Sequence, residues 1–240
     1  MDTTDNRIQR ALIAQWVNLK ACIARLNSNV LVREQDTFRP SNSTETQSCF
    51  DVTPVLFQLP ERANDTSSDL FVVVRGMLSL DRRHFQLTKQ LRTTSFSTEA
   101  GYFRLTGGGK RMQHVYGAHY DFAGNELGHP VFHVQIRSFA KFREEIEKYY
   151  PQDDVDFEDS MKNVLKTVRL PSAQMDAFSV FLQLVADHLI WKNSRQDELQ
   201  QFCELLAQSK SIQGAGFVID RLQRPPACEC YRAAHWYPAR

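Results

Sequence analysis

Four of the chain's seven histidines, His114, His119, His129 and His133, fall within 20 residues. Imidazole is the side chain whose charge changes nearest neutral pH, so such a cluster could move protons, bind a metal or recognise an anion. If Val115–Phe122 and Val131–Arg137 form one hairpin, side-chain alternation puts His119 and Asp121 on one face, beside His133, Gln135 and Arg137 of the partner strand. The opposite face then carries Tyr116, Ala118, Tyr120 and Phe122 with Phe132, Val134 and Ile136, an apolar set suited to a core.

That polar set admits several chemistries. His119 and His133 could act as base and acid on a phosphodiester, with Asp121 beside them and Arg137 stabilising the developing charge, as in a metal-independent RNase. His119, Asp121 and His133 could instead hold a divalent metal through two nitrogens and an oxygen. A third use is recognition alone, with Gln135 and the planar fork of Arg137 binding a phosphate, a carboxylate or a partner chain. A solvated sheet face also needs no purpose for its polar residues.

Other constellations are weaker. Cys228-Glu229-Cys230 with His235 offers three soft ligands, but it lacks the two-residue spacer of a zinc knuckle and only Cys203 could be a fourth, so no metal or other cofactor is expected. Arg232, Trp236 and Tyr237, near Tyr231, Arg224 and Arg240, make a basic-aromatic tail able to stack on unpaired bases or anchor in a partner. Arg82, Arg83, Lys89, Arg92, Lys110 and Arg111 are the other local basic groups. The acidic run Asp153, Asp154, Asp156, Glu158 and Asp159 lacks the EF-hand ligand order and reads as a solvated turn feeding a helix N-terminus. Gly107-Gly108-Gly109 is not followed by Gly-Lys-Ser/Thr, so a hairpin turn is the better reading than a phosphate loop.

The elements that must position these residues are legible in the periodicity. Ile8, Leu12, Trp16, Leu19, Ile23 and Leu26 recur at helical spacing, predicting an amphipathic helix from Asp5, its expected N-cap, to Leu26. Residues 27–48 read as a polar connection. Short runs, Val52–Leu59, Leu70–Arg75, Phe85–Thr88, Tyr102–Thr106, Val115–Phe122 and Val131–Ile136, alternate with turn-forming clusters, which predicts an antiparallel sheet of about five or six strands. Helical spacing returns at Phe139–Tyr149 and from Pro171-Ser172, with Ser172 as N-cap, to about Ile190. Met175, Phe178, Leu182, Val185 and Leu189 form its apolar stripe, beside a polar line of Asp176, Gln183 and Asp187 that could meet the hairpin or simply face solvent. A last helix is expected over about Arg195–Gln208, and the tail from Pro225 reads as loop. The order fits an α+β fold with an N-terminal helix, an antiparallel sheet and a C-terminal helical subdomain, divided as 1–150 and 151–240 or continuous.

Composition narrows the class. With 42% hydrophobic and 24% charged residues over 240 positions, the chain has an ordinary globular composition. Its net charge of +1 supplies no bulk field to attract nucleic acid, so charge balance favours a protein partner and leaves RNA or single-stranded nucleic acid to a local patch. Five scattered cysteines do not make a secreted disulfide framework. With no readable signal peptide and no long apolar run, the expected setting is cytoplasmic, away from membrane.

Gly117-Ala118-His119-Tyr120-Asp121-Phe122 and His129-Pro130-Val131-Phe132-His133-Val134-Gln135, followed by Arg169-Leu170-Pro171-Ser172 and Met175-Asp176-Ala177-Phe178-Ser179, resemble a group of bacterial proteins often met near mobile or defence genes. The resemblance spans roughly Val115 to Leu189 and implies no particular reaction. The expected function is therefore that of an accessory or interaction protein, with the His119/His133 RNase as the alternative.

Overall fold

A computed structural model describes residues 3–62, 65, 69–122, 132–151, 155–165, 168, 170–172, 175–190 and 194–213. Helix α1 (Thr3–Leu26) buries Ile8, Leu12, Trp16, Leu19 and Ile23, the expected stripe. Asp5 is not its N-cap. The helix begins earlier, and the buried Asp5 carboxylate accepts from the Ser48 hydroxyl and pairs with Arg82 Nε at 3.5 Å.

Among the described residues, nine strands form one sheet: β1 (Leu31–Arg33), β2 (Phe38–Pro40), β3 (Gln47–Leu59), β4 (Leu70–Asp81), β5 (Thr93–Thr106), β6 (Arg111–Phe122), β7 (Phe132–Ile136), β8 (Asp156–Asp159) and β9 (Leu170–Pro171). Their order is β1-β3-β4-β5-β6-β7-β9, with β2 beside β3 and β8 beside β6. All pairs are antiparallel except β6 with β8. The turn between β5 and β6 is the glycine triplet, whose φ values of 63°, 65° and 91° exclude ordinary side chains without strain.

Both sheet faces are covered. On the first, α1, α4 (Ala177–Leu189) and α5 (Gln196–Gln213) pack over Phe57, Val72, Val74, Phe96, Ala118 and Tyr120. On the second, a 3-10 turn (Ala140–Phe142) and α3 (Arg143–Glu147) set Phe139, Phe142 and Ile146 against Leu56, Phe71, Val73, Phe103 and Met112. The chain beyond Pro151 supplies β8 and β9 to the sheet and α4 to the first core. Among the described residues, no helix is long and apolar enough to cross a membrane.

Several local expectations are corrected. Phe85–Thr88 is helical, within α2 (Arg82–Thr88), because the Asp81 carboxylate caps it by accepting from His84 N at 2.8 Å. The polar stretch 27–48 contains β1, β2 and the start of β3, whose backbones are satisfied by pairing within the sheet. The Phe139–Tyr149 helix shortens to the 3-10 turn and α3. Asp156–Asp159 is a strand because its backbone pairs with β6 and Phe157 joins the second core. The helix expected from Pro171 starts at Ala177: Leu170 and Pro171 pair with β7, and Asp176 caps α4 by accepting from Ser179 N at 3.1 Å.

Candidate functional site

The hairpin parity is as expected from the sequence. His119 stands opposite Gln135 and Asp121 opposite His133, while Tyr120 meets Val134 and Phe122 meets Phe132 on the other face. A bulge in β6, where Tyr102 pairs with Tyr116 and Phe103 with His114, also brings His114 to the second face. On the first face Phe96, Phe122 and Phe132 pack as a ring triad with centroids 5.4–6.5 Å apart, fixing which side the polar residues take.

The centre of the polar face is Glu99, on β5 opposite His119. Its Oε1 accepts from Arg137 at 2.7 Å and its Oε2 from Arg75 Nε at 2.8 Å, with His119 Nδ1 at 3.7 Å. Burial opposes its ionisation, but His119, Arg75 and Arg137 outweigh that cost and hold the carboxyl at about 2. His119 in turn lies between two carboxylates, with Nε2 3.7 Å from Asp121 Oδ2. Burial works against its charge, yet Asp121 and Glu99 raise its pKa above the ordinary value. Asp121, partly buried, is held below its usual range by His119, the Phe122 amide and His133.

A glycine pair shapes the floor. Gly101 and Gly117 face each other across β5 and β6, and Phe139 and Phe142 settle on the space they leave. A Cβ at Gly117 would stand 2.2 Å from the Arg137 carbonyl oxygen and 2.9 Å from the Phe139 ring. Gly117→Ala is therefore expected to destabilise the fold by roughly 1–3 kcal/mol, because rigid backbone must give way. Urea unfolding checks this; an unchanged midpoint and slope would show that the strands do not approach as described.

Phe139 and Phe142 stack at 5.1 Å and carry the guanidiniums of Arg137 (5.0 Å) and Arg75 (4.7 Å) on their faces. These groups, with Ser138, Ala140 and Lys141, line a cleft of about 450 Å³. Neither His119 nor His133 is among its lining residues. His133 is only 2% exposed, and the two imidazoles are diagonal rather than directly opposite neighbours. Among the described residues, no three His, Cys, Asp or Glu side chains converge closely enough to hold a metal ion.

A second polar network buttresses the same hairpin. His114 Nδ1 and Asp159 Oδ1 are 2.8 Å apart, and the same carboxylate accepts from the Ser138 hydroxyl at 2.7 Å and the Met161 amide at 3.0 Å. Burial opposes ionisation of Asp159, but these partners lower its pKa. Ser138 also accepts from Ala140 N at 3.2 Å, so the network anchors the turn that carries Phe139 and Phe142.

The α4 polar line belongs to a helix that packs in the first core. The helix lies on the first face, where Asp176 is its buried cap and Gln183 bonds Asp187 at 3.3 Å. Burial, with Tyr116 and Asp187, raises the pKa of Tyr102, and burial foremost does so for Tyr120. His188 Nδ1 lies 3.0 Å from the Glu61 carbonyl oxygen. His129, Cys228, Cys230, Arg232, His235, Trp236 and Tyr237 lie outside the described residues.

Sequence reasoning missed Arg75, Glu99, the Phe139–Phe142 stack and Asp159. Glu99 left one signal, being the single acid in the β-rich run Thr93–Thr106. Comparison with protein-family models, curated proteins and solved structures finds no match for the chain.

Proposed function

We propose that this chain is an interaction protein that holds a protein or nucleic-acid partner on the second sheet face, through Arg137 and its neighbours, without a turnover of its own. The observation that carries this reading is the cleft: its rim presents fixed guanidiniums, while both candidate proton-transfer imidazoles are absent from its lining. Arg137 is oriented by Glu99 and the Phe139 ring before any partner arrives, so little side-chain entropy remains to be lost on binding. The resemblance to bacterial proteins met near mobile or defence genes supports an accessory role in the cytoplasm of such a cell.

The test is affinity capture from the native host, followed by titration of the purified partner. Arg137→Ala is expected to weaken binding by about 1.5–3 kcal/mol, roughly 10- to 150-fold, if its bond is charge-assisted. Lys110→Ala, exposed beside the glycine turn, should leave binding unchanged. No retained partner, or one indifferent to Arg137→Ala, counts against the reading. So does EDTA-insensitive cleavage of single-stranded RNA with a bell-shaped pH profile that His119→Ala or His133→Ala lowers about 100-fold, the result a metal-independent RNase would give.

A further inference from the structure

The cleft described above has a charge and a shape that narrow its ligand. Arg75, Arg137 and Lys141 line it against one carboxylate, Glu99, leaving an excess of two positive charges. A singly charged carboxylate would neutralise half of that excess, whereas a phosphate monoester carries about −1.5 to −2 at pH 7 and offers three acceptor oxygens. Each guanidinium spends one nitrogen on Glu99, which leaves further donors on each planar fork. The forks are already fixed, by the carboxylate at their edges and by the Phe142 and Phe139 rings beneath them.

The rest of the cleft is mainly apolar, lined by Phe139, Ala140 and Phe142. Its 450 Å³ lies within the range of small-ligand sites. Arg75 and Arg137 side chains keep 49% and 31% of their surface exposed, so guanidiniums lying over phenyl rings still offer surface to a further flat ring. Such guanidinium and aromatic platforms receive nucleobases without regard to sequence.

We propose that this cleft is a binding site for a nucleoside monophosphate, free or at the 5′ end of a single strand. The phosphate lies among Arg75, Arg137 and Lys141, and the base rests against the arginine–phenylalanine pairs. This rests on the binding reading above and names the ligand class for the same face.

Calorimetric titration of the full chain with adenosine 5′-monophosphate, adenosine and inorganic phosphate tests it. The monophosphate should bind at least about tenfold tighter than either fragment alone, since only it uses both the cationic and the apolar parts of the cleft. Arg75→Ala should weaken it about tenfold or more, and the exposed Lys141→Ala about two- to fivefold, while Lys110→Ala leaves it unchanged. A tetranucleotide bearing a 5′-phosphate that binds tighter than the mononucleotide identifies a strand end as the source; weaker binding identifies the free nucleotide. No binding of the monophosphate, adenosine or inorganic phosphate binding equally well, or indifference to both cleft substitutions overturns the proposal. If that happens while Arg137-dependent partner binding persists, the ligand class falls and the interaction reading stands; loss of both removes both.

Discussion

Phe181→Ala is expected to destabilise the protein by about 3–5 kcal/mol, the range for truncating a fully packed aromatic side chain. Phe181 is 0% exposed on α4, and its ring lies 4.7 Å from Trp16 of α1, 5.4 Å from Phe57 of β3 and 6.0 Å from Phe178. One side chain therefore joins α1 and α4 to the sheet. Truncation removes dispersion contacts with all three neighbours and leaves a cavity that rigid rings cannot close. For a domain of this size the loss corresponds to a fall in melting temperature of roughly 6–20 °C. Leu87→Ala, at a side chain 76% exposed on α2, should stay within about 0.5 kcal/mol of the parent. Equal melting temperatures for the Phe181 variant and the parent would show that α4 does not carry the core.

Phe181 also illustrates what the sequence could and could not tell. Of the expected stripe Met175, Phe178, Leu182, Val185 and Leu189, the last four are buried on α4, while Met175 precedes the helix and is only half-buried against the core. Val180, Phe181 and Leu184 are buried as well, because α4 is enclosed by α1, α5 and the sheet rather than lying on the surface. A single stripe underestimates a helix covered on several sides. The β6–β7 face was legible for the opposite reason: period-two alternation is strict, and the Phe96, Phe122 and Phe132 cluster leaves one register that buries them. Glu99 and Arg75 could not be placed beside His119 by such reasoning, since that depends on which strands are neighbours and on their relative register. Asp159 was harder still. Its strand joins β6 in parallel from 45 residues away, and four residues are too short for a periodic signal. Asp81 and Asp176 cap α2 and α4 by accepting from backbone amides, and Leu170–Pro171 pairs with β7, so Phe85–Thr88 is helical rather than extended and the last long segment turns helical only at Ala177.

The Arg75–Glu99–Arg137 unit supplies the second large effect, and its size depends on pH. The Glu99 side chain is 16% exposed, and Glu99→Ala removes the shared partner of two guanidiniums and of His119. A fully buried pair broken in this way costs about 3–5 kcal/mol; because Arg75 and Arg137 still reach water, about 2–4 kcal/mol is expected here. Glu99→Gln keeps the shape and removes only the charge, so it isolates the electrostatic part. Folding lowers the carboxyl from 4.5 to about 2, a displacement worth about 3 kcal/mol. Its contribution is present in full above about pH 4.5 and is lost as the pH falls through 2. His119 acts in the opposite direction: with its pKa raised above 6.5 by Asp121 and Glu99 against the cost of burial, its contribution is complete below that value and fades as the pH rises through the folded pKa. Asp121 and Asp159 are also lowered, so the parent loses stability in acid for more than one reason. The decisive quantity is thus the difference between the urea midpoints of parent and Glu99→Gln across pH 2–7. That difference should be largest near pH 5 and shrink as the pH falls from 4.5 towards 2, whereas parallel curves over this interval would show that the two arginines do not hold the carboxylate ionised. A smaller loss above pH 6.5 in the Glu99→Gln protein is expected as well, since one of the two carboxylates that favour the charged imidazole has gone.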